Sequence, residues 1–225
     1  MAKLREREKA IALRKEKQMS YSQIKKILKV SKSTLSLWLN NYPLSKQRIR
    51  ELRDRNEQRI ERYRETRRRK KEERLKQFYK KEKKLVFPLS KRESFLAGLF
   101  LYLGEGTKSH PAELSISNTD PSIAKFFLVW LTKTLMVPKE KIKIQLHLYR
   151  DMDIKNKVNF WSKTLNIPLI QFTKPYIKKT SSIRINHKGS FGHGTCNVSI
   201  GNARLSEKII MAIKAITDKY GKMRT

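Results

Sequence analysis

The apolar positions of this chain keep three successive rhythms. Through residue 44 they come in short bursts: Leu4, Ala10, Ile11 and Leu13, then Tyr21 to Leu28, a break at Lys29 and Val30, then Leu35, Trp38 and Leu39. Spacings of three and four, with Ser31 placed as an N-cap before the last burst, predict short helices joined by a tight turn. From Lys46 to Leu85 the apolar residues thin to one line, Ile49, Leu52, Ile60, Tyr63, Leu75, Phe78 and Leu85, in a stretch with no Gly or Pro between Pro43 and Pro88. That pattern predicts a single long helix with a narrow apolar stripe, ~60 Å long at 1.5 Å per residue.

From about residue 89 the chain becomes dense in apolar residues and mixes two periods. After an opening helix, residues 112–118 alternate as a strand, 121–137 read as a strongly apolar helix, and 141–149 form a second strand. Residues 153–166 are amphipathic through Ile154, Val158, Trp161 and Leu165; extended pieces follow at 172–178, 182–188 and 195–200, and 204–220 close the chain as a helix. The mixture predicts an α+β layer. Three regions result: 1–45, short helices; 46–87, a long basic helical linker; and 88–225, the α+β region.

In the strand at 141–149, Ile142, Ile144, Leu146 and Leu148 point one way and Lys141, Lys143, Gln145, His147 and Tyr149 the other. The extended piece at 182–188 splits likewise, setting Arg184, Asn186 and Lys188 against Ile183 and Ile185, and at 195–200 Asn197 and Ser199 oppose Cys196, Val198 and Ile200. Any half-buried antiparallel sheet has a polar face. This one carries cations suited to phosphates together with Gln, Asn and His, which can address base edges.

Charge narrows the class of partner. The chain has 53 Lys and Arg against 20 Asp and Glu, a net charge of +33. A polyanion fits that imbalance, because each neutralised phosphate releases condensed counterions, and double-stranded DNA leads. Small-molecule substrates are not expected. No apolar run approaches the ~20 residues needed to span a bilayer, and no lipidation signal is present, so no membrane partner is expected. A charged N-terminus and a single cysteine, Cys196, fit a reducing, cytoplasmic setting, nucleoid-associated in a bacterium.

The stretch SYSQIKKILKVSKSTLSLWL, residues 20–39, resembles the helix-turn-helix of resolvases and transposase-associated DNA-binding domains. The resemblance implies that Ser31 to Leu37 opens a recognition helix, with Lys32, Ser33, Thr34 and Ser36 foremost in the major groove. None of these is an Arg, Asn or Gln, so docking on phosphates with modest sequence preference is expected. The following basic segment, 19 basic and 8 acidic residues from Lys46 to Leu85, is open to three roles: solvated spacer, dimer seam, or arm along DNA.

At FLAGLFLYLGEGTK, residues 95–108, an apolar helix ends on Gly104, Glu105 and Gly106. A carboxylate among the last free carbonyls, where the helix dipole is negative, is poorly placed as a structural acid and well placed for a divalent cation with oxygen ligands. LAGLFLYLGEG, residues 96–106, resembles the motif of the LAGLIDADG homing endonucleases, and the order of elements over about 130 residues is similar to that fold. The resemblance implies helices packed on one face of an antiparallel saddle sheet, preceded here by the helix-turn-helix and the long charged helix.

It also implies a homodimer in which each copy brings one acid to a shared Mg2+ site that hydrolyses phosphodiester bonds in double-stranded DNA. Glu105 takes the place of the metal-binding and catalytic acid with Gly104 beside it, and Ala97, Gly98, Leu101 and Gly104 take the dimer seam. Three departures accompany the match: Phe100 stands where the family has glycine, the acid is Glu rather than Asp, and the helix 153–166 is additional. The family's fold also serves regulators that do not cut, which leaves a non-cleaving DNA-binding transcriptional regulator as the alternative. His187, His193 and Cys196 fall short of the four ligands of a structural zinc site, and Asp151 and Asp153 are either supplementary metal ligands or a strand end and a helix cap.

Overall fold

Short polar side chains open nearly every helix. In the computed structural model, which describes residues 4–110, 112–179 and 192–221, Ser20, Ser31, Ser45, Asp54, Ser90, Asp120 and Asp153 each accept a hydrogen bond from a backbone N–H of the following first turn. Such caps satisfy donors that the helix itself leaves free, and each contributes about 1 kcal/mol. The chain divides into two units, Met1–Phe87 and Pro88–Thr225.

The first unit is all helical: α1 (Leu4–Lys15), α2 (Tyr21–Leu28), α3 (Lys32–Leu39), α4 (Lys46–Glu51) and α5 (Arg55–Val86). Ala10, Tyr21, Ile24, Val30, Leu35 and Leu39 form its core. Between α2 and α3, Lys29 takes the left-handed conformation at φ 50° and returns its N–H to the Lys25 carbonyl. The long helix expected from residue 46 is broken: Leu52 is extended, and Asp54 starts a new helix by accepting from Asn56 N. Burial of Ile49 and Leu52 with Leu44 favours the break, giving α4 a small core of its own.

The second unit contains α6 (Lys91–Glu105), β1 (Glu113–Asn118), α7 (Pro121–Val129), β2 (Lys143–Tyr149), α8 (Ile154–Leu165), β3 (Tyr176–Lys178), β4 (Thr195–Gly201) and α9 (Ala203–Gly221). The strands lie in the order β1-β4-β2-β3. β4 is antiparallel to both β1 and β2, but β3 runs parallel to β2, so the sheet is mixed rather than wholly antiparallel. The cause is α8, which stands between β2 and β3 as the crossover a parallel pair needs. Residues 182–188, expected as extended, lie outside the described residues, and with them Arg184, Asn186, His187 and Lys188.

One sheet face, carrying Leu114, Ile116, Ile144, Leu146, Leu148, Cys196, Val198 and Ile200, is buried beneath the helices. α7 continues into a π-helical turn, Trp130–Thr134, that brings Trp130 against α6. The indole N–H donates to the Phe95 carbonyl at 3.2 Å, and a Cβ at Gly98 would overlap the indole ring. Gly98 is therefore where α6 and Trp130 approach closely, a common reason for glycine inside a helix.

Candidate nucleic-acid interface

In the helix-turn-helix, Ser20 forms a reciprocal capping box with Gln23 at the start of α2, and Ser31 Oγ accepts from Thr34 N at 3.1 Å at the start of α3. The hydroxyls expected to face DNA are largely engaged in this local order. Ser31 Oγ lies 2.9 Å from Ser33 Oγ and 2.8 Å from Thr34 Oγ1, and Ser36 Oγ accepts from Arg64 of α5. Lys32 and Ser33 are exposed, whereas Thr34 and Ser36 are half-buried. The outward face of α3 continues instead through Leu37, 79% exposed, and Asn40. Sequence periodicity contains that signal, since Leu35 and Leu39 bury the inner face and leave Leu37 two residues out of phase.

α5 is docked on this module through two acids. Glu61 accepts Nη1 and Nη2 of Arg14 and the backbone N–H of Tyr21, and Glu57 accepts the Ser20 hydroxyl. Both carboxylates thus sit at the N-terminus of α2, where free N–H groups and the helix dipole favour negative charge. Two guanidinium groups approach the Tyr21 ring, Arg14 at 4.8 Å and Arg64 at 4.0 Å from its centroid. Burial raises the Tyr21 pKa, against the lowering effect of Arg14 and Arg64. The first turns of α5 are therefore part of the helical module, while Leu75, Phe78, Tyr79 and Leu85 further along stay exposed.

On the second unit, the sheet face away from the helices presents polar rows in register. Ser199 and Lys143 form one row, with Ser115 beside them buried; Ser117, Asn197 and Gln145 form the next, and Thr195, His147 and Tyr176 a third, with Tyr149 beside Lys178 beyond. Asn197 Nδ2 donates to Ser117 Oγ at 2.9 Å, Gln145 Nε2 to the Lys174 carbonyl at 3.3 Å, and the His147 ring meets the edge of Tyr176. Burial, aided by the Lys178 charge, lowers the His147 pKa, so the neutral ring offers one donor and one acceptor. Lys141 is the exception: it is exposed in a single 3-10 turn before β2 and not in the strand.

α6 delivers Glu105 to its C-terminal end, exposed, with Oε2 accepting from Asn118 Nδ2 at 3.0 Å. A side chain at Gly104 would meet open space. Among the described residues no three His, Cys, Asp or Glu come together as a metal site. Of the four residues expected at a seam, Gly98 is occupied by Trp130 and Leu101 packs against the unit's own core. Ala97 and Gly104 remain toward the surface, and Phe100, 52% exposed, lies between them at helical spacing.

Cys196, His193, Asp153 and Asp151 each have a defined place in the fold, and His187 lies outside the described residues. Cys196 is fully buried in the sheet core, where burial pushes its thiol far above the ordinary range, so it is no ligand. His193 stacks flat on Phe160, with ring centroids 3.5 Å apart. Asp153 caps α8, accepting Asn156 N at 3.0 Å, and Asp151 lies in the preceding turn. No protein-family model, curated protein or solved structure matches this chain. No helix among the described residues is long and apolar enough to cross a membrane.

Proposed function

We propose that this chain is a sequence-specific double-stranded DNA-binding protein. The observation that carries the proposal is the capped α2–α3 pair, whose second helix holds Lys32, Ser33, Leu37 and Asn40 outward. A helix of this kind fits the major groove, where Asn pairs with adenine and an apolar side chain meets the thymine methyl. The polar rows on the sheet are a second DNA-facing surface: Lys143 and Lys178 meet phosphates, and Gln145, His147 and Asn197 address bases. Fluorescence anisotropy with pooled duplexes tests this. Binding should weaken steeply with salt and enrich a sequence; salt-independent binding or no enrichment would sink it.

A LAGLIDADG-like, Mg2+-dependent endonuclease acting as a homodimer is the more specific reading, favoured by the position of Glu105 at an exposed helix end beside an open Gly104. Such an ion would be held by a Glu105 from each of two copies, since among the described residues of one copy no three His, Cys, Asp or Glu come together. Bound in that way, Mg2+ would polarise the phosphodiester and activate a water. Glu105 would hold the ion, and Asn118 would orient the Glu105 carboxylate through its Nδ2 hydrogen bond. Incubating the pool with Mg2+, wild type and Glu105→Gln decides it: cutting by wild type alone supports the nuclease, and equal binding without cutting by either leaves the regulator.

A further inference from the structure

Within the first unit, α3 and α5 enclose a cleft of about 920 Å³. From α3 it is lined by Lys32 and Ser33, and from α5 by Arg67, Lys70, Lys71 and Arg74. These four cations are spaced at i, i+3, i+4 and i+7, one face of one helix. No carboxylate partner is found for any of them among the described residues, whereas Arg68 of the same helix is paired with both Glu65 and Glu72. The neighbouring Arg64 fixes the floor, joining α5 to α3 through Ser36 and stacking on Tyr21. The two acids that also line the cleft, Glu61 and Glu65, are already paired with Arg14 and Arg68, so the α5 wall of the trough stays cationic, and its other wall is continuous with the exposed face of α3.

Resting on the assignment of α3 to DNA, we infer that this trough seats the sugar-phosphate backbone of one DNA strand, making α5 a phosphate clamp beside the groove that α3 enters. The span from Arg67 to Arg74 is ~10 Å at 1.5 Å per residue, enough to meet two or three consecutive phosphates. Duplex DNA is the partner because its major groove, about 12 Å wide, admits a helix; the deep, narrow major groove of A-form RNA does not. The clamp accounts for the division of labour on the module. α5 supplies affinity that ignores sequence, and the few outward side chains of α3 supply the preference.

The test compares two triple variants of the full chain, each removing three cations from exposed or cleft-facing positions of α5. Lys70→Gln/Lys71→Gln/Arg74→Gln removes three of the four clamp cations; Arg62→Gln/Arg69→Gln/Lys76→Gln removes equal charge from the opposite face of the helix. Gln keeps helix propensity close to that of Lys and Arg. Anisotropy with one preferred duplex, titrated in salt, should show the slope of log Kobs against log salt falling by about 2 to 3 for the clamp variant, at ~0.9 for each phosphate no longer neutralised. Its ranking of duplex sequences should be unchanged, and the opposite-face variant should keep the wild-type slope.

Equal loss in both variants would reduce α5 to diffuse charge and overturn the clamp. An unchanged slope in the clamp variant, with wild-type DNA binding intact, would overturn it while leaving the DNA-binding proposal standing. Wild type that prefers double-stranded RNA, or binds no duplex, would remove both.

Discussion

Arg14 holds Glu61 through two parallel hydrogen bonds, Nη1 to Oε1 at 3.0 Å and Nη2 to Oε2 at 2.7 Å, with both side chains almost wholly buried. The rest of the guanidinium is also satisfied, Nε by the Tyr42 carbonyl and Nη1 by that of Met19. A buried pair of this quality is a specificity device more than a source of net stability, because desolvation offsets much of its attraction. It fixes where α5 leaves the helix-turn-helix.

Removing one partner should therefore be far worse than removing both. Arg14→Met strands the Glu61 charge and should destabilise the first unit by about 3 to 5 kcal/mol. Arg14→Met/Glu61→Leu should recover a large part of that loss. Calorimetry of the full chain reads both; additive losses would show that the pair is not coupled.

Gly98 permits no side chain against Trp130. Gly98→Ala should destabilise the second unit by about 1 to 3 kcal/mol despite the better helix propensity of Ala, since overpacking outweighs it. Urea unfolding followed by tryptophan emission is the measurement. An unchanged or raised midpoint would mean that the indole has room to move.

His147 and His193 both have pKa values lowered by burial, with Lys178 and Lys157 as the respective secondary causes. A depressed histidine binds fewer protons folded than unfolded, so stability rises with pH between the folded value and the unfolded ~6.5. Their contribution is complete above that range and is lost as pH falls below about 6.5. His147→Gln/His193→Gln should flatten the pH dependence of the melting temperature between about pH 5 and 7.

On the sheet face, Gln145 and Lys143 stand two residues apart on β2, and the proposed DNA contact gives them different tasks. Gln145→Ala should relax sequence preference at one position by about 1 to 3 kcal/mol, and Lys143→Ala should weaken all duplexes alike and lower the salt slope by about 1. Selection from a randomised duplex pool separates the two. Identical sequence profiles for both variants would move base recognition off this face.

Local chemistry made much of this architecture legible. The alternation of 141–149 identified the two sheet faces, although the strand itself starts at Lys143; Ser31 marked a helix start, and Asp153, left open between metal ligand and cap, is found as the cap of α8. The α4–α5 break escaped because Ile49, Leu52 and Ile60 stay on one helical line across it; Asp54 was the signal, and only burial beside Leu44 shows why it prevails. Glu57 and Glu61 sit among basic residues and look solvated until their distant partners Ser20 and Arg14 are seen. The parallel placement of β3 was readable in principle, since a helix between two strands is a crossover. At the candidate metal site the sequence located Glu105 but not its surroundings, because Asn118 reaches it only through the fold.

The packing of Gly98 against Trp130 also sets a phase. Seven residues are nearly two full helical turns at about 3.6 per turn, so Glu105 leaves α6 on almost the same azimuth at which Gly98 receives the indole. Trp130 thus acts as an index pin for the direction of a carboxylate two turns away. Inserting one residue between the two positions would preserve the hydrophobic content of the helix and swing that carboxylate by about 100°.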